Sequence, residues 1–258
     1  MISVSELLEL SKDVAVTAGQ RLFENSNSQH KHFTNSVELP KEVKAAADIF
    51  LEKEILDRLT PIGLPILSEE SGYIPGEQET KLWFIIDPLD GTYNFVKGLG
   101  PSAISIALWS DRTPIFGVVY SLDEQKIYWG GRDFGSYCNG KELLVSDCAS
   151  KDHASICTGF PVRFDVTDGD TMQKFWNCIR FFSKVRMIGA ASVSLVHVSS
   201  GSADLYYEKN IMLWDVAAGL AIIEGAGGEF ILNETSDDWS CNVVASNGKI
   251  RLDNICTI

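Results

Sequence analysis

Four short β-rich runs follow one another between residues 82 and 132, and they limit the possible folds more than any other feature. The runs are LWFIID, AISIALWS, PIFGVVYS and KIYWGGR, and glycine, proline and aspartate turn signals separate them. Runs of this length with such short connections predict a meander of antiparallel strands. Upstream, apolar residues at helical spacing predict one helix over residues 3–25 and a second over roughly 41–60. The polar stretch between them, 26–40, which contains His30 and His32, is typical of a loop.

Beyond residue 150 the pattern changes to strands that alternate with helices. Strand-like segments such as SICTGF, ADLYYEKN and EFILNE are interleaved with helical segments such as AASVSLVHVSSG and LWDVAAGLAIIEGAGG. This alternation predicts an α/β (α+β) fold in which helical layers cover sheets. We place a boundary between two halves near residues 145–152. An N-terminal α/β half would cover residues 1–147 and a C-terminal α/β half residues 148–258.

Composition restricts the classes of partner. The chain has 258 residues, of which 45% are hydrophobic, and a formal net charge of −13. This charge argues against binding to nucleic acid or to anionic membranes, although a metal ion can still make a local site attractive to an anionic substrate. No secretion signal or apolar run long enough to span a membrane is visible. Six scattered cysteines predict reduced, mostly buried thiols, so a cytoplasmic protein is expected.

The segment WFIIDPLDGTYNF, residues 83–95, is the strongest functional signal. An apolar strand runs directly into Asp87 and Asp90, and Gly91 and Thr92 follow at once. Pro88 has a fixed φ and no N–H, so it stiffens the bend between the two carboxylates. A plain turn would explain these residue types but not the apolar strand that leads into them. Because Pro88 stands where an aspartyl-phosphate phosphatase would carry its nucleophile, the spacing disfavours a covalent phosphoenzyme.

Other carboxylates follow apolar segments elsewhere: Glu69 and Glu70 in LSEESG, Asp215 in LWDVAAG, and Asp48 in AAADIF. Taken singly, each has an ordinary structural explanation: a solvated turn, a helix N-cap and a helix-surface carboxylate, respectively. Together with the paired aspartates they form an oxygen-only ligand set, which hard cations prefer. Magnesium is therefore the expected cofactor.

Several of these segments, in order along the chain, are similar to the inositol monophosphatase family. The resemblance covers most of the chain and is most specific in DPLDGTYNF and WDVAAG…EGAGG. It implies a layered αβαβα sandwich, two or three Mg²⁺ ions, a homodimer, and hydrolysis of a small phosphomonoester. We expect direct attack by a metal-activated water, because phosphoryl transfer depends mainly on positioning and charge neutralisation.

The resemblance also implies roles for individual residues. Glu69, Asp87 and the carbonyl of Leu89 would hold one metal; Asp87, Asp90 and Asp215 would hold a second, with Asp48 near a possible third. Glu69 and Thr92 would activate water, with Asp90 completing the predicted catalytic set. Contacts to the substrate are implied for Gly91, Thr92, Gly189, Ala190 and Glu208.

The substrate stays open at this level. Inositol monophosphate or a related polyol or sugar phosphate is our first expectation. The same scaffold suits fructose 1,6-bisphosphate, histidinol phosphate or 3′-phosphoadenosine 5′-phosphate. Arg163, Arg186 and Lys209 could offer positive charge to a second phosphate or a carboxylate, but a surface charge is the preferred interpretation of each. Lys44 stands where many members of the family have an uncharged residue, so whether it contacts the substrate also stays open. Two readings of other classes are a family member that mainly binds a partner protein and a metal-stabilised structural domain. The intact acidic set and Thr92 favour an enzyme.

Overall fold

The computed structural model describes residues 2–24, 33–35, 43–77, 79–234 and 238–251. Within this part of the chain the helices are α1 (Val4–Glu24), α2 (Ala46–Leu59), α3 (Thr92–Lys97), α4 (Gly169–Ile179), α5 (Ala191–Ser199) and α6 (Leu213–Gly225). A small antiparallel pair consists of β1 (Phe33–Asn35) and β2 (Val43–Ala45). In these residues no helix is both long enough and apolar enough to cross a membrane.

Among the described residues, the larger sheet has eight strands, all from the first half of the chain. In chain order they are β3 (Ile66–Ser68), β4 (Gly72–Ile74), β5 (Leu82–Asp90), β6 (Ala103–Ser110), β7 (Thr113–Ser121), β8 (Lys126–Gly131), β9 (Gly135–Cys138) and β10 (Lys141–Glu142). Their order across the sheet is β10-β9-β8-β7-β6-β5-β3-β4. From β5 to β10 each strand pairs antiparallel with the next, which confirms the predicted meander.

The smaller sheet has five strands from the second half. They are β11 (Ser155–Thr158), β12 (Lys184–Arg186), β13 (Leu205–Met212), β14 (Glu229–Glu234) and β15 (Ser240–Ser246), in the order β12-β11-β13-β15-β14. The two sheets therefore divide between residues 142 and 155, close to the expected boundary. That 1–147 and 148–258 are separate structural units stays a prediction, since α5 and α6 pack against both sheets.

Three apolar cores produce five layers. Neighbouring residues of β5 face opposite cores, as the two-residue period of a strand requires. Phe84 and Ile86 pack with α1 and α2 on the outer face, whereas Ile85 packs with α5 and α6 between the sheets. Helix α4 covers the far face of the smaller sheet through Phe175 and Ile179. The predicted αβαβα sandwich is confirmed.

The second helix begins later than the sequence pattern predicts. It starts at Ala46 rather than near residue 41, because Val43–Ala45 pairs as a strand with Phe33–Asn35. That pairing also corrects the loop prediction for residues 33–35. Local propensity favours helix in KEVKAAAD, but pairing with a distant segment outweighs it. His30 and His32 lie outside the described residues.

The cysteines follow the prediction in part. Free thiols are found at Cys138, Cys148, Cys157 and Cys241. Cys178, in contrast, is disulfide-bonded, so the expectation of reduced thiols is wrong for this residue. Sequence spacing gives no measure of the distance between two sulfurs, which decides whether they can bond. Cys256 lies outside the described residues.

Candidate active site

The end of β5 leaves its ladder with β6 where the two carboxylates emerge. Asp87 pairs with Ser105 and Asp90 with Ala103, so the register shifts between them. Pro88 has no N–H for the ladder, and the N–H of Leu89 instead donates to Asp87 Oδ1 at 2.9 Å. The strand therefore presents two carboxylates and one carbonyl at its end rather than continuing to pair.

Gly91 closes this turn with a left-handed φ of 82°. A Cβ there would lie 2.9 Å from the carbonyl oxygen of Pro101 and 3.1 Å from Cβ of Ala190. Both the φ angle and the close packing require glycine at this position. Helix α3 then begins at Thr92, which places this residue beside the strand-end carboxylates.

Thr92 contacts a carboxylate from helix α2. Its Oγ1 lies 2.8 Å from Asp48 Oδ1 and 2.9 Å from the carbonyl oxygen of Leu89, and both are acceptors for the threonine proton. Asp48 is 1% exposed, and its Oδ2 accepts the N–H of Ala45 at the start of α2. The structure thus brings together residues 44 positions apart as a partly buried hydroxyl–carboxylate pair.

Asp90 binds the N-terminus of α5, which comes from the other half of the chain. Its Oδ1 accepts the N–H of Ala191 at 3.1 Å, and its Oδ2 accepts the N–H of Ser192 at 2.8 Å. The Ser192 hydroxyl also donates to Oδ2. Ala190, the N-cap residue, has no side-chain oxygen, so Asp90 satisfies the first amides of this helix from another strand.

Two further elements complete the acidic set. Glu69 and Glu70 follow β3, which runs parallel to β5, so the carboxyl ends of both strands meet at one edge of the sheet. Asp215 stands in the first turn of α6, where its Oδ2 accepts the N–H of Met212.

The carboxylates form two groups whose ligand oxygens each lie within 4.8 Å of one another. The strand-end cluster contains Asp87, Asp90 and Asp215. The helix-side cluster contains Asp48, Glu69 and Glu70. The structure therefore brings together every carboxylate that the sequence predicted as a metal ligand.

Burial and mutual repulsion raise the pKa values of these groups. Burial is the largest cause in each case: it raises the pKa of Asp48 to about 6 and that of Asp215 to about 7. For Asp87 and Glu69 the pKa is raised well above the ordinary value by burial and by neighbouring carboxylates. Ionising these carboxyl groups without a counter-charge is costly, and a bound cation would stabilise their ionised form.

Asp87 gives a direct test of whether a metal fits here. Its Oδ2 is fully buried and has no hydrogen-bond partner among the described residues. An unpaired buried carboxylate oxygen is costly, whereas a hard cation supplies the missing partner. The donor set around it consists of oxygen atoms, as magnesium and calcium prefer. The residues present fit a hard divalent cation.

A cavity of about 340 Å³ opens onto the acidic set. Its walls include Glu69, Gly91, Thr92, Arg163, Gly189, Asn210 and Asp215. Ala190 is buried directly behind Gly91. Among the described lining residues Arg163 is a cation, and it forms an ion pair with Asp238. Arg186 and Lys209 lie outside this lining, and the Lys44 side chain lies outside the described residues.

Glu208 lies in strand β13 and is not among the residues that line the cavity. It is 8% exposed, and burial raises its pKa to about 8. A Cβ on Gly159 would lie 2.8 Å from Glu208 Oε1, so glycine leaves room for this carboxylate. Asp90 and Asp215 also contribute to the raised pKa, which places Glu208 close to the strand-end cluster.

Sequence reasoning missed three supporting side chains. Ser192 contacts Asp90, as described above. Glu52 accepts hydrogen bonds from Ser68 and Ser71 and so holds the turn that carries Glu69 and Glu70. Its signal in the sequence is its position four residues after Asp48, on the same helix face.

The third is Asn94, whose Nδ2 donates to the carbonyl oxygens of Pro101 and Ile188. These bonds tie α3 to the segment that precedes α5. No local pattern would have revealed this contact, because it joins residues 94 positions apart.

The comparisons with known proteins agree with this geometry. Residues 3–256 match the inositol monophosphatase family. The fructose-1,6-bisphosphatase/inositol-1-monophosphatase of Aquifex aeolicus is 33% identical over 90% of this chain and 88% of its own. The inositol-1-monophosphatase of Synechocystis sp. is 32% identical over 95% of this chain and 85% of its own.

A solved structure has the same fold. The extragenic suppressor protein suhB of Bartonella henselae superimposes with a TM-score of 0.83 at 29% identity, over 96% of both chains. The match with the family covers nearly the whole sequence, including every carboxylate of the two clusters. The chain belongs to the inositol monophosphatase family, whose members hydrolyse phosphoric monoesters.

Proposed function

We propose that this chain is a magnesium-dependent phosphomonoesterase that acts on inositol monophosphate or a related small polyol or sugar phosphate. One observation carries the proposal: two oxygen-ligand clusters meet a partly buried hydroxyl–carboxylate pair at the same cavity, and one cluster has a buried oxygen with no partner among the described residues. A purely structural cation site would need the ligands but not the pair. We expect direct attack of water on the phosphate.

The metal ligands in this proposal are those of the two clusters. Glu69, Asp87 and the carbonyl of Leu89 would hold one Mg²⁺, and Asp87, Asp90 and Asp215 would hold another, with Asp48 beside a possible third. Bound there, the ions would supply charge neutralisation for the phosphate and for the acidic set. The contacts of Asp90 with α5 and of Asp215 with Met212 hold these carboxylates in position beforehand.

Proton removal falls to Thr92 and Asp48. The Thr92 hydroxyl donates its own proton within the site, so its oxygen lone pairs are free to accept a hydrogen bond from the attacking water. Asp48, with a pKa of about 6, lies near the range in which a general base is most effective. The family resemblance implies Glu69 as the residue that acts with Thr92. The observed bond supports Asp48 as the partner, with Glu69 contributing as a ligand at the cavity wall.

Substrate contacts follow the cavity walls. The backbone of Gly91 and Thr92 would contact the phosphate, and Gly189 and Ala190, which pack against Gly91, would form the adjoining wall. Glu208 would meet hydroxyl groups of the substrate, since a carboxyl group with a pKa of about 8 can donate as well as accept a hydrogen bond.

A substrate with two anionic groups is the second candidate, and Arg163 is the observation that favours it. Its guanidinium reaches the cavity that holds the acidic set while it pairs with Asp238. A guanidinium has five N–H donors, so the pair with Asp238 leaves others for a second phosphate. Fructose 1,6-bisphosphate, histidinol phosphate and 3′-phosphoadenosine 5′-phosphate belong in the same test.

The test is phosphate release from a panel of these esters, each with Mg²⁺ and with a chelator. Activity on one ester that depends on Mg²⁺ supports the proposal and names the substrate. Asp48→Asn should lower turnover by about 100-fold or more, because it removes the proton acceptor of Thr92. Asp57→Asn is the matched control, since Asp57 lies exposed on the same helix and pairs only with Lys53 in the described contacts.

Two outcomes would count against the proposal. Equal turnover in Asp48→Asn and Asp57→Asn would remove the role of the Thr92–Asp48 pair. If no ester of the panel releases phosphate although Mg²⁺ is bound, the result would favour a member of the family that mainly binds a partner protein.

A homodimer in the cytoplasm, without nucleic-acid or membrane partners, completes the proposal. The acidic composition argues against nucleic-acid and anionic-membrane partners, and the family resemblance supports the homodimer. The four free thiols of the described residues favour the cytoplasm, whereas the disulfide bond of Cys178 does not. Size-exclusion chromatography with light scattering measures the assembly directly. A monomer mass at micromolar concentration would contradict this part without affecting the reaction.

A further inference from the structure

Ser192 makes an unusual contact for a serine in the first turn of a helix. The residue is fully buried, and its hydroxyl donates to Oδ2 of Asp90, 102 positions away in the chain. Its own backbone N–H donates to the same oxygen at 2.8 Å. Asp90 Oδ1 accepts the N–H of Ala191 at 3.1 Å. One buried carboxylate thus receives at least three hydrogen bonds from a single helical turn.

The hydroxyl is not needed to satisfy the helix. The two backbone amides of α5 already have Asp90 as their acceptor, and the serine hydroxyl has no backbone group of its own to cap. Its bond therefore acts on the carboxylate. A carboxylate has about four acceptor positions, so three donors from one side leave few of them. One oxygen of Asp90 also lies within 4.8 Å of a ligand oxygen of each of the other two members of the strand-end cluster.

We propose that Ser192 is a positioning residue for the metal site. Its hydroxyl fixes the rotation of the Asp90 carboxylate so that the remaining lone pair points toward Asp87 and Asp215. The role rests on the proposed function, because it presumes that Asp90 is a magnesium ligand. Groups that orient a ligand in this way are worth about 10- to 100-fold in metal affinity or activity.

Ser194 offers a matched control two residues further along α5. It is also buried, but its hydroxyl donates to the carbonyl of Ala190 within the helix at 2.8 Å. Ser192→Ala and Ser194→Ala remove the same atom from the same helix. Only the first change removes a donor from a metal-ligand carboxylate.

The experiment measures Mg²⁺ binding by titration calorimetry, and by the rise in melting temperature with Mg²⁺, without substrate. Ser192→Ala should bind Mg²⁺ about 10- to 100-fold more weakly than the unmodified chain, and Ser194→Ala should bind like the unmodified chain. Ser192→Thr keeps the hydroxyl and should restore binding. In turnover, Ser192→Ala should need more Mg²⁺ for half-saturation, with kcat recovering at saturating Mg²⁺.

Equal Mg²⁺ affinity in Ser192→Ala and Ser194→Ala would overturn the inference, as would weak binding in Ser192→Thr. If Ser192→Ala melts at a lower temperature without Mg²⁺, Ser192→Cys takes its place, because the thiol is nearly isosteric with the hydroxyl but is a weak donor. If Ser192→Cys binds Mg²⁺ as tightly as the unmodified chain does, the inference is overturned. The proposed function fails differently: the unmodified chain would bind Mg²⁺ yet hydrolyse no ester of the panel, and the binding comparison would still decide the role of Ser192.

Discussion

Carboxylates accept hydrogen bonds at helix N-termini in two regions of this protein, and the two regions differ in their exposure to solvent. On the surface, Asp168 caps α4 by accepting the N–H and hydroxyl of Thr171. These hydrogen bonds hold the pKa of Asp168 below its ordinary value. At the start of α1, Glu6 accepts from Ser3 and its pKa is lowered in the same way.

In the candidate active site the same kind of contact has the opposite result. Asp48, Asp90 and Asp215 accept the N–H groups that begin α2, α5 and α6. Burial nevertheless raises all three pKa values, because the amides do not make up for the lost water. Repulsion from Glu70 adds to this effect at Asp48, and repulsion from Asp90 adds to it at Asp215. The hydrogen bonds orient these groups and lower their pKa values, but burial raises the pKa values by more, so a bound cation would be needed to stabilise the ionised carboxylates.

Asp90→Asn removes the charge of this side chain but keeps its orientation, and it should have the largest effect on turnover. The amide keeps the shape of the side chain and one acceptor oxygen for α5, but it is a poor magnesium ligand. Turnover should fall at least about 100-fold, while the melting temperature in a chelator should be kept or raised, because a buried charge is removed. Steady-state kinetics and thermal melting check both parts. Near-wild-type turnover would remove Asp90 from the ligand set.

The pH dependence of stability tests the raised pKa values directly. Asp48 and Asp215 have ordinary pKa values of 3.8, which the fold raises to about 6 and about 7. The folded chain therefore holds these protons more tightly than the unfolded chain, so the free energy of unfolding should fall as pH rises from about 4 to about 7.

Melting curves in a chelator measure this slope. Mg²⁺ should abolish or reverse it, because the ion binds ionised carboxylates and so stabilises more at higher pH. If the melting temperature in the chelator stays constant or rises with pH over this range, the carboxylates of the site do not have raised pKa values, and the two regions do not differ as described.

Asp168→Ala should have the smallest effect and serves as the surface counterpart. Loss of the cap should lower the melting temperature slightly, whereas Asp168→Asn, which keeps an acceptor, should not. Neither change should alter turnover or Mg²⁺ affinity, since α4 covers the far face of the smaller sheet. A change in Mg²⁺ affinity would mean that the two regions are coupled.

The strand end and the carboxylates that follow it could be predicted because their signals are local. The apolar run into DPLDGT shows both the strand and the site, and Pro88 and Gly91 show where the ladder stops. The bond of Thr92 with Asp48 and that of Asp90 with Ser192 join residues 44 and 102 positions apart. Nothing in either segment alone specifies such a partner. The start of α2 was placed too early for the same reason, since a distant strand decides it.

The attachment of α5 to Asp90 has a mechanical consequence. Gly189 and Ala190, which would form one wall of the cavity, directly precede the turn that this carboxylate holds. Mg²⁺ takes oxygen ligands at about 2.0–2.1 Å and Ca²⁺ at about 2.3–2.6 Å. A larger ion would push the carboxylate, and with it the helix end and the adjoining wall, by a few tenths of an ångström. The radius of the bound ion would thus affect the shape of the substrate cavity.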